Sequence, residues 1–127
     1  MIKKILLHTE FTFDSAHFLR NYEGKCKNIH GHSWFVEVWI KGNIYQIDER
    51  GILFDFTNVK EIKEYFDHKL LNDLSEFEDI NPTAENICSV IFNRLKIINN
   101  SLDYRVRVYE NRIEKYNYCE YGDFGDF

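Results

Sequence analysis

Apolar and polar residues alternate from Lys3 to Asp14, and the alternation stays in phase as far as His17. Phe13, Phe11, Leu7 and Ile5 share the parity of His17, whereas Asp14, Thr12, Glu10, His8 and Lys4 hold the other. A period of two belongs to a half-buried strand, so this pattern predicts a strand whose inner face ends in a histidine. Ser33 to Gln46 predicts a second strand. Trp34, Val36, Val38 and Ile40 lie on one of its sides, and His30 and His32 extend the same parity. Its other side carries Phe35 and Trp39, which predicts cover on both faces.

Beyond a turn at Asp48-Glu49-Arg50-Gly51 and the short apolar run Ile52 to Phe56, the period changes. Thr57 or Asn58 suits a helix cap, and Val59, Ile62, Tyr65, Phe66 and Leu70 recur at helical spacing, with an end near Leu71. Asn81-Pro82-Thr83-Ala84-Glu85 predicts a second helix start, followed by a buried stripe of Ile87, Cys88, Ile91, Phe92 and Leu95. Alternation returns from Asp103 to Tyr121 and predicts a hairpin around Asn111 and Arg112. The order ββααββ, without repeat or linker, predicts one α+β domain over residues 1–127. Its antiparallel sheet would carry both helices on one face.

Composition narrows the function classes. A protein of 127 residues with 44% hydrophobic content can bury a core. The 17% aromatic share exceeds what a small core needs and points to interfaces as well. A net charge of −5 argues against a nucleic-acid surface, while leaving room for a local basic pocket that takes a phosphorylated metabolite. No apolar stretch approaches the roughly 20 residues of a membrane span, and no signal-peptide core is evident. The expectation is a soluble, cytoplasmic protein. Cys26, Cys88 and Cys119 form no CxxC pair, which fits a reducing compartment. Cys88 and Cys119 read as inert packing or surface thiols.

Three histidines carry the chemistry. His30 and His32 share one face of a strand, and His17 lies on the inner line of another. Each alone reads better as an ordinary turn or surface residue than as a ligand. Together on buried faces they need partners, and a metal would supply one. Three neutral imidazoles leave a fourth position open on zinc, the arrangement of a catalytic site. Cys26 sits nearby in a loop with Lys25 and Lys27.

Two further candidates involve carboxylates. Asp67-His68 can act as an acid/base unit, although the same step also suits a solvated helix end. Glu110 shares the parity of Tyr104, Val106 and Val108, which predicts an inward carboxylate that is either paired or functional. It could accept two N–H bonds from the flat edge of a pterin or guanine; the other reading is an ion pair with Arg105, Arg107 or Arg112. Asp55 suits a helix cap or a subunit contact.

Taken together, Phe13-Asp14-Ser15-Ala16-His17, the Cys26 to His32 loop, Gly51 to Phe56, Asp67-His68-Lys69-Leu70-Leu71-Asn72, Pro82-Thr83-Ala84-Glu85-Asn86 and Val108-Tyr109-Glu110 resemble the 6-pyruvoyltetrahydropterin synthase family, in order and over nearly the whole sequence. Only three residues separate Cys26 from His30, which looks like the bacterial 6-carboxytetrahydropterin synthase branch of queuosine biosynthesis. The resemblance implies a tunnelling fold (T-fold) assembled as a homohexamer, a dimer of trimers, with sites between subunits. It implies a lyase in which His17, His30 and His32 bind Zn2+ and Cys26 is the general base. Asp67 and His68 complete proton transfer, and Glu110 anchors the pterin with Thr83 and Ala84 near it. The implied substrate is 7,8-dihydroneopterin triphosphate, converted to 6-carboxytetrahydropterin with release of triphosphate and acetaldehyde and without a redox cofactor. Rival readings are a 6-pyruvoyl-forming enzyme and a silent pterin- or purine-binding zinc protein. Phe18, often basic in relatives, and Asn111, usually Thr or Ser there, depart from the family pattern. The tail Tyr121 to Phe127 carries no readable chemistry.

Overall fold

A computed structural model describes residues 1–125; the last two positions of the tail, Asp126 and Phe127, lie outside the described residues. Two long strands, β1 (Lys4–His17) and β2 (His30–Asn43), pair antiparallel over their whole length, from Lys4 opposite Asn43 to His17 opposite His30. The strands therefore run as far toward their connecting loop as the in-phase histidines, which are strand residues on both sides. β3 (Asp103–Tyr109) pairs with β2, and β4 (Tyr118–Gly122) with β3, giving a four-stranded antiparallel sheet in the order β1-β2-β3-β4. The hairpin expected around Asn111 and Arg112 forms with a longer connection, pinned where Arg112 N–H donates to the Ser33 carbonyl at 2.8 Å.

Helices α1 (Thr57–Phe66) and α2 (Ala84–Ile98) fall between β2 and β3 and bury their apolar stripes against the sheet. Phe13, Trp34, Val36, Ile40, Phe66, Ile87, Ile91, Leu95, Tyr104 and Val106 are at most 1% exposed. Phe13 stacks on Trp34 with centroids 5.8 Å apart, directly behind the histidine end of the sheet. Truncating either ring would cost about 3–5 kcal/mol.

Both helix boundaries of α1 differ from expectation. Neither Thr57 nor Asn58 caps it: Asp55, two residues before Thr57, does so, accepting from Thr57 N–H at 3.0 Å and from its hydroxyl at 2.9 Å. Those bonds hold the Asp55 carboxyl below the usual carboxylate range. The helix ends at Phe66 and not near Leu71, because His68 takes the left-handed conformation with φ of 55° and its N–H donates to Asp14. Leu70 then bridges to Ala16 beside β1, keeping an apolar residue at this position without continuing the helix. Thr83 caps α2 as expected, its hydroxyl accepting from Asn86 N–H. No helix among the described residues is long and apolar enough to cross a membrane.

The opposite face of the sheet carries Trp39, with Arg105 and Arg107 lying 4.5 and 5.3 Å from its ring. Glu120 pairs with both arginines. The expected second cover is thus, within one subunit, a layer of charged groups laid over aromatic rings. The tail adds to it where Lys41 lies 4.8 Å from the Phe124 ring, while on the helix side Asp123 pairs with Lys96 of α2 at 2.8 Å.

Candidate metal centre and adjoining cavity

The end of the β1–β2 hairpin brings three imidazoles together. His17 faces His30 directly in the register, and His32 follows on the same side of β2. Ring centroids are 4.6 Å apart for His17 and His30, 5.0 Å for His17 and His32, and 4.9 Å for His30 and His32. One nitrogen from each lies within 4.8 Å of the other two. Trp34 closes the inner side, its ring 5.1 Å from His17 and 5.2 Å from His32.

Hydrogen bonds fix which nitrogen each ring presents. His17 Nδ1 lies 2.8 Å from the Pro82 carbonyl, and His30 Nδ1 lies 2.7 Å from the Asn28 carbonyl. A carbonyl only accepts, so each Nδ1 carries the proton and each Nε2 exposes a lone pair. His17 Nε2 is buried and has no partner among the described residues. Such an orphan costs on the order of 1–3 kcal/mol unless something fills the space. A metal ion answers the deficit, and backbone carbonyls behind ligating histidines are the usual means of orienting them. Burial, together with the neighbouring imidazoles, holds His17 below its ordinary value despite the Pro82 bond, and burial likewise lowers His32 against the pull of Glu110. Neutral imidazole is the form that binds metal.

Around the triad, the segment after β1 is held by two amides. Asn72 accepts from Phe18 N–H and donates to the Phe18 carbonyl, both at 3.0 Å, and Asn81 does the same for Arg20 at 2.8 and 3.0 Å. Each amide stands in for a strand partner. On the other flank Glu110 emerges just past the end of β3, its Oε2 3.9 Å from His32 Nε2. It borders a cavity of about 340 Å³ lined also by Ala84, Glu85, Asn117, Tyr118 and Cys119.

A model of the 6-pyruvoyl tetrahydropterin synthase family matches residues 6–121, a span that takes in all or nearly all of every strand and helix described. The chain belongs to that family. It is accordingly an enzyme of tetrahydropterin synthesis, a lyase. The 6-carboxy-5,6,7,8-tetrahydropterin synthase of Synechocystis is 35% identical over 98 residues, 72% of this chain and 74% of that protein. The enzyme of the same name from Haemophilus influenzae is 29% identical over 136 aligned positions, 88% of this chain and 94% of that one. A Pyrococcus horikoshii relative is 47% identical over 72 residues, 56% of this chain but only 43% of its own length. The Caenorhabditis elegans 6-pyruvoyl tetrahydropterin synthase structure superposes with a TM-score of 0.76 at 23% identity, over 97% of this chain and 98% of that one. This likeness establishes the tunnelling fold.

The Asp67–His68 pair forms: Asp67 Oδ1 accepts from Asp14 N–H at 2.9 Å and lies 3.0 Å from His68 Nδ1. Partial burial alone would raise the Asp67 carboxyl, but these bonds outweigh it and hold it below the ordinary range. His68 is 80% exposed and free to meet a ligand from one side. A non-glycine residue at positive φ costs about 1 kcal/mol or more, and such residues concentrate where function demands them.

Other expectations change. Glu110 is not buried: its carboxylate arm is 48% exposed, because β3 stops at Tyr109 and the parity that pointed inward no longer has a sheet behind it. Nor does it pair with an arginine, since Arg105 and Arg107 are taken by Glu120. Ala84 reaches the cavity beside Glu110, whereas the Thr83 hydroxyl is spent on the helix cap. Cys26 lies half-buried in a short turn, Lys25–Lys27, anchored by Leu19 N–H donating to its carbonyl at 2.8 Å. Its thiol makes no hydrogen bond among the described residues and is not one of the converging donor atoms. Cys88 is fully buried, and burial pushes its thiol far upward, as an inert packing group requires. Sequence reasoning missed Asn117, Tyr118 and Cys119 as cavity residues, and no spacing signal marks them, because they come from the end of a loop and the first positions of β4.

Proposed function

We propose that this enzyme converts 7,8-dihydroneopterin triphosphate and water to 6-carboxy-5,6,7,8-tetrahydropterin, acetaldehyde and triphosphate, as a step of queuosine biosynthesis. The observation that carries this reading is the buried, unpartnered Nε2 of His17 at the centre of three converging imidazoles. A site so built suits one cation with three nitrogen ligands, and His17, His30 and His32 would hold zinc. Zinc bound there supplies Lewis acidity to the hydroxyls on the substrate's C6 substituent.

The remaining steps belong to the protein's own groups. Glu110, exposed and free of any arginine, offers two acceptor oxygens to the N–H edge of a pterin lying in the cavity it borders. Its position 3.9 Å from His32 puts ring recognition beside the metal ligands. Cys26, as general base, removes a proton from carbon in the same substituent. The Asp67–His68 pair moves protons, with Asp67 fixing the imidazole through Nδ1 and leaving the rest of the exposed ring toward the substrate. The curated relatives from Synechocystis and Haemophilus influenzae carry the 6-carboxy name, which favours that product, as does the short spacing from Cys26 to His30.

The openness of Glu110 and His68, together with the outer edges of β4 and of β1 before Asp14, which have no strand partner among the described residues, supports a homohexamer whose subunits join sheet edges and complete one another's sites. Incubating the purified protein with dihydroneopterin triphosphate and identifying products by mass spectrometry tests the reaction. Equimolar acetaldehyde and 6-carboxytetrahydropterin are expected. Accumulation of 6-pyruvoyltetrahydropterin without acetaldehyde would place the enzyme in the other branch, and binding without any product would leave a silent pterin-binding protein.

A further inference from the structure

We propose a second divalent-metal site, on the open face of the sheet, formed by His8, Glu10 and Glu37. The β1–β2 register sets Glu10 directly opposite Glu37 and His8 opposite Trp39. Residues two apart on a strand share a face, so His8 and Glu10 reach the same side and meet Glu37 across the ladder. One donor atom from each lies within 4.8 Å of the other two. The site is separate from the histidine triad. His8 and His17 differ in parity, hence in face, and the intervening strand puts them roughly 30 Å apart along β1.

Two features set this cluster apart from a solvated polar face. Like charges directly opposite on neighbouring strands destabilise a sheet, and a cation between Glu10 and Glu37 converts that repulsion into attraction. Glu37 is also held from behind. Its Oε1 accepts from the Tyr109 hydroxyl at 3.1 Å, and Arg107 donates to that same hydroxyl at 3.1 Å. Outer partners of this kind orient metal-ligating carboxylates. The Glu37 carboxylate arm is only 17% exposed and its Oε2 lies 3.0 Å from His8 Nε2, so the imidazole edge and the carboxylate already meet.

One imidazole nitrogen with two carboxylate oxygens suits a first-row divalent ion such as zinc, cobalt or manganese, with water filling the open positions. On binding, the contact between Nε2 and Oε2 gives way to two bonds to the ion. Before binding, His8 Nε2–H donates to Glu37 Oε2; on binding, Nε2 gives up that proton and turns its lone pair to the ion, the neutral ring then carrying its proton on Nδ1.

The protein's two tryptophans report separately on the two sites. Trp39 lies 5.0 Å from the His8 ring, and Trp34 lies beside His17 and His32. Equilibrium dialysis of the full-length protein against micromolar Zn2+ should load about two equivalents per subunit. His8→Ala and Glu10→Gln, both at exposed positions, should each load about one while keeping the parent's circular dichroism. His32→Ala should lose the first equivalent and retain the second. Titrating parent that carries a single equivalent of zinc, in the triad, with Co2+ should quench tryptophan emission as the second site fills, and Trp39→Phe should abolish that quenching. Loading of a single equivalent by the parent, or a second equivalent that survives both His8→Ala and Glu10→Gln, would overturn the proposal.

Discussion

The imidazole of His17 donates through Nδ1 to the Pro82 carbonyl at 2.8 Å, and this one bond ties the inner end of β1 to the start of α2. It fixes the ring so that Nε2 points toward His30 and His32 with its lone pair free. The scaffold thus orients a ligand with a backbone carbonyl drawn from 65 residues away in sequence.

Cys26→Ala should keep fold, metal and pterin affinity while turnover falls by several orders of magnitude, because it removes a base and no core volume. Cys88→Ala is the control. Its thiol is buried in the core, so stability should drop and turnover per folded molecule should hold. Equal steady-state rates for parent and Cys26→Ala would remove Cys26 from the chemistry.

Glu110→Gln should weaken pterin binding at least about tenfold, since one acceptor oxygen becomes a donor facing the ligand's own N–H groups. The residue is exposed and makes no ion pair with arginine, so melting temperature should not move. Unchanged affinity in a calorimetric titration would strip it of the recognition role.

Thr83→Ala should cost about 1 kcal/mol of stability through loss of the α2 cap. Its hydroxyl accepts from Asn86 N–H at 3.2 Å. Pterin affinity should stay within about twofold; a large affinity loss with an unchanged unfolding midpoint would instead put the hydroxyl in the site.

The metal-free protein should lose stability in mild acid. Burial holds His17 and His32 below the ordinary histidine value, so near pH 6.5 the unfolded state binds more protons than the folded one. Stability therefore falls as pH drops through about 6.5 toward the folded-state values, and is flat above. Urea midpoints measured in chelator at pH 7.5 and 5.5 should differ in this direction. The difference should shrink in His17→Gln. A higher midpoint at pH 5.5 would mean that the folded site prefers charged imidazoles.

Much of this site is legible in the sequence. Strand parity is local, so Phe13 and Trp34 mark the face on which His17, His30 and His32 lie, and the α2 start is written in Pro82 and Thr83. Glu110 shows where that reasoning stops: parity carries meaning only while the strand lasts, and β3 ends one residue earlier. The end of α1 escapes for a related reason. Leu70 keeps helical spacing, but His68 leaves the helix to meet Asp14, a contact distant in sequence that no periodicity encodes. The carbonyls of Pro82 and Asn28, which decide the histidine tautomers, are backbone groups and leave no mark in apolar or polar patterns at all. Asn117, Tyr118 and Cys119 reach the cavity at the loop–β4 junction and are equally silent.

The most direct test of an open three-histidine zinc site is X-ray absorption spectroscopy of the protein as isolated, before any added metal. Three imidazole nitrogens at about 2.0–2.1 Å and one further light atom are expected, with no sulfur near 2.3 Å. His32→Ala should abolish this three-nitrogen shell. A sulfur shell would make Cys26 a ligand and close the site, and an unchanged three-nitrogen shell in His32→Ala would place the metal elsewhere.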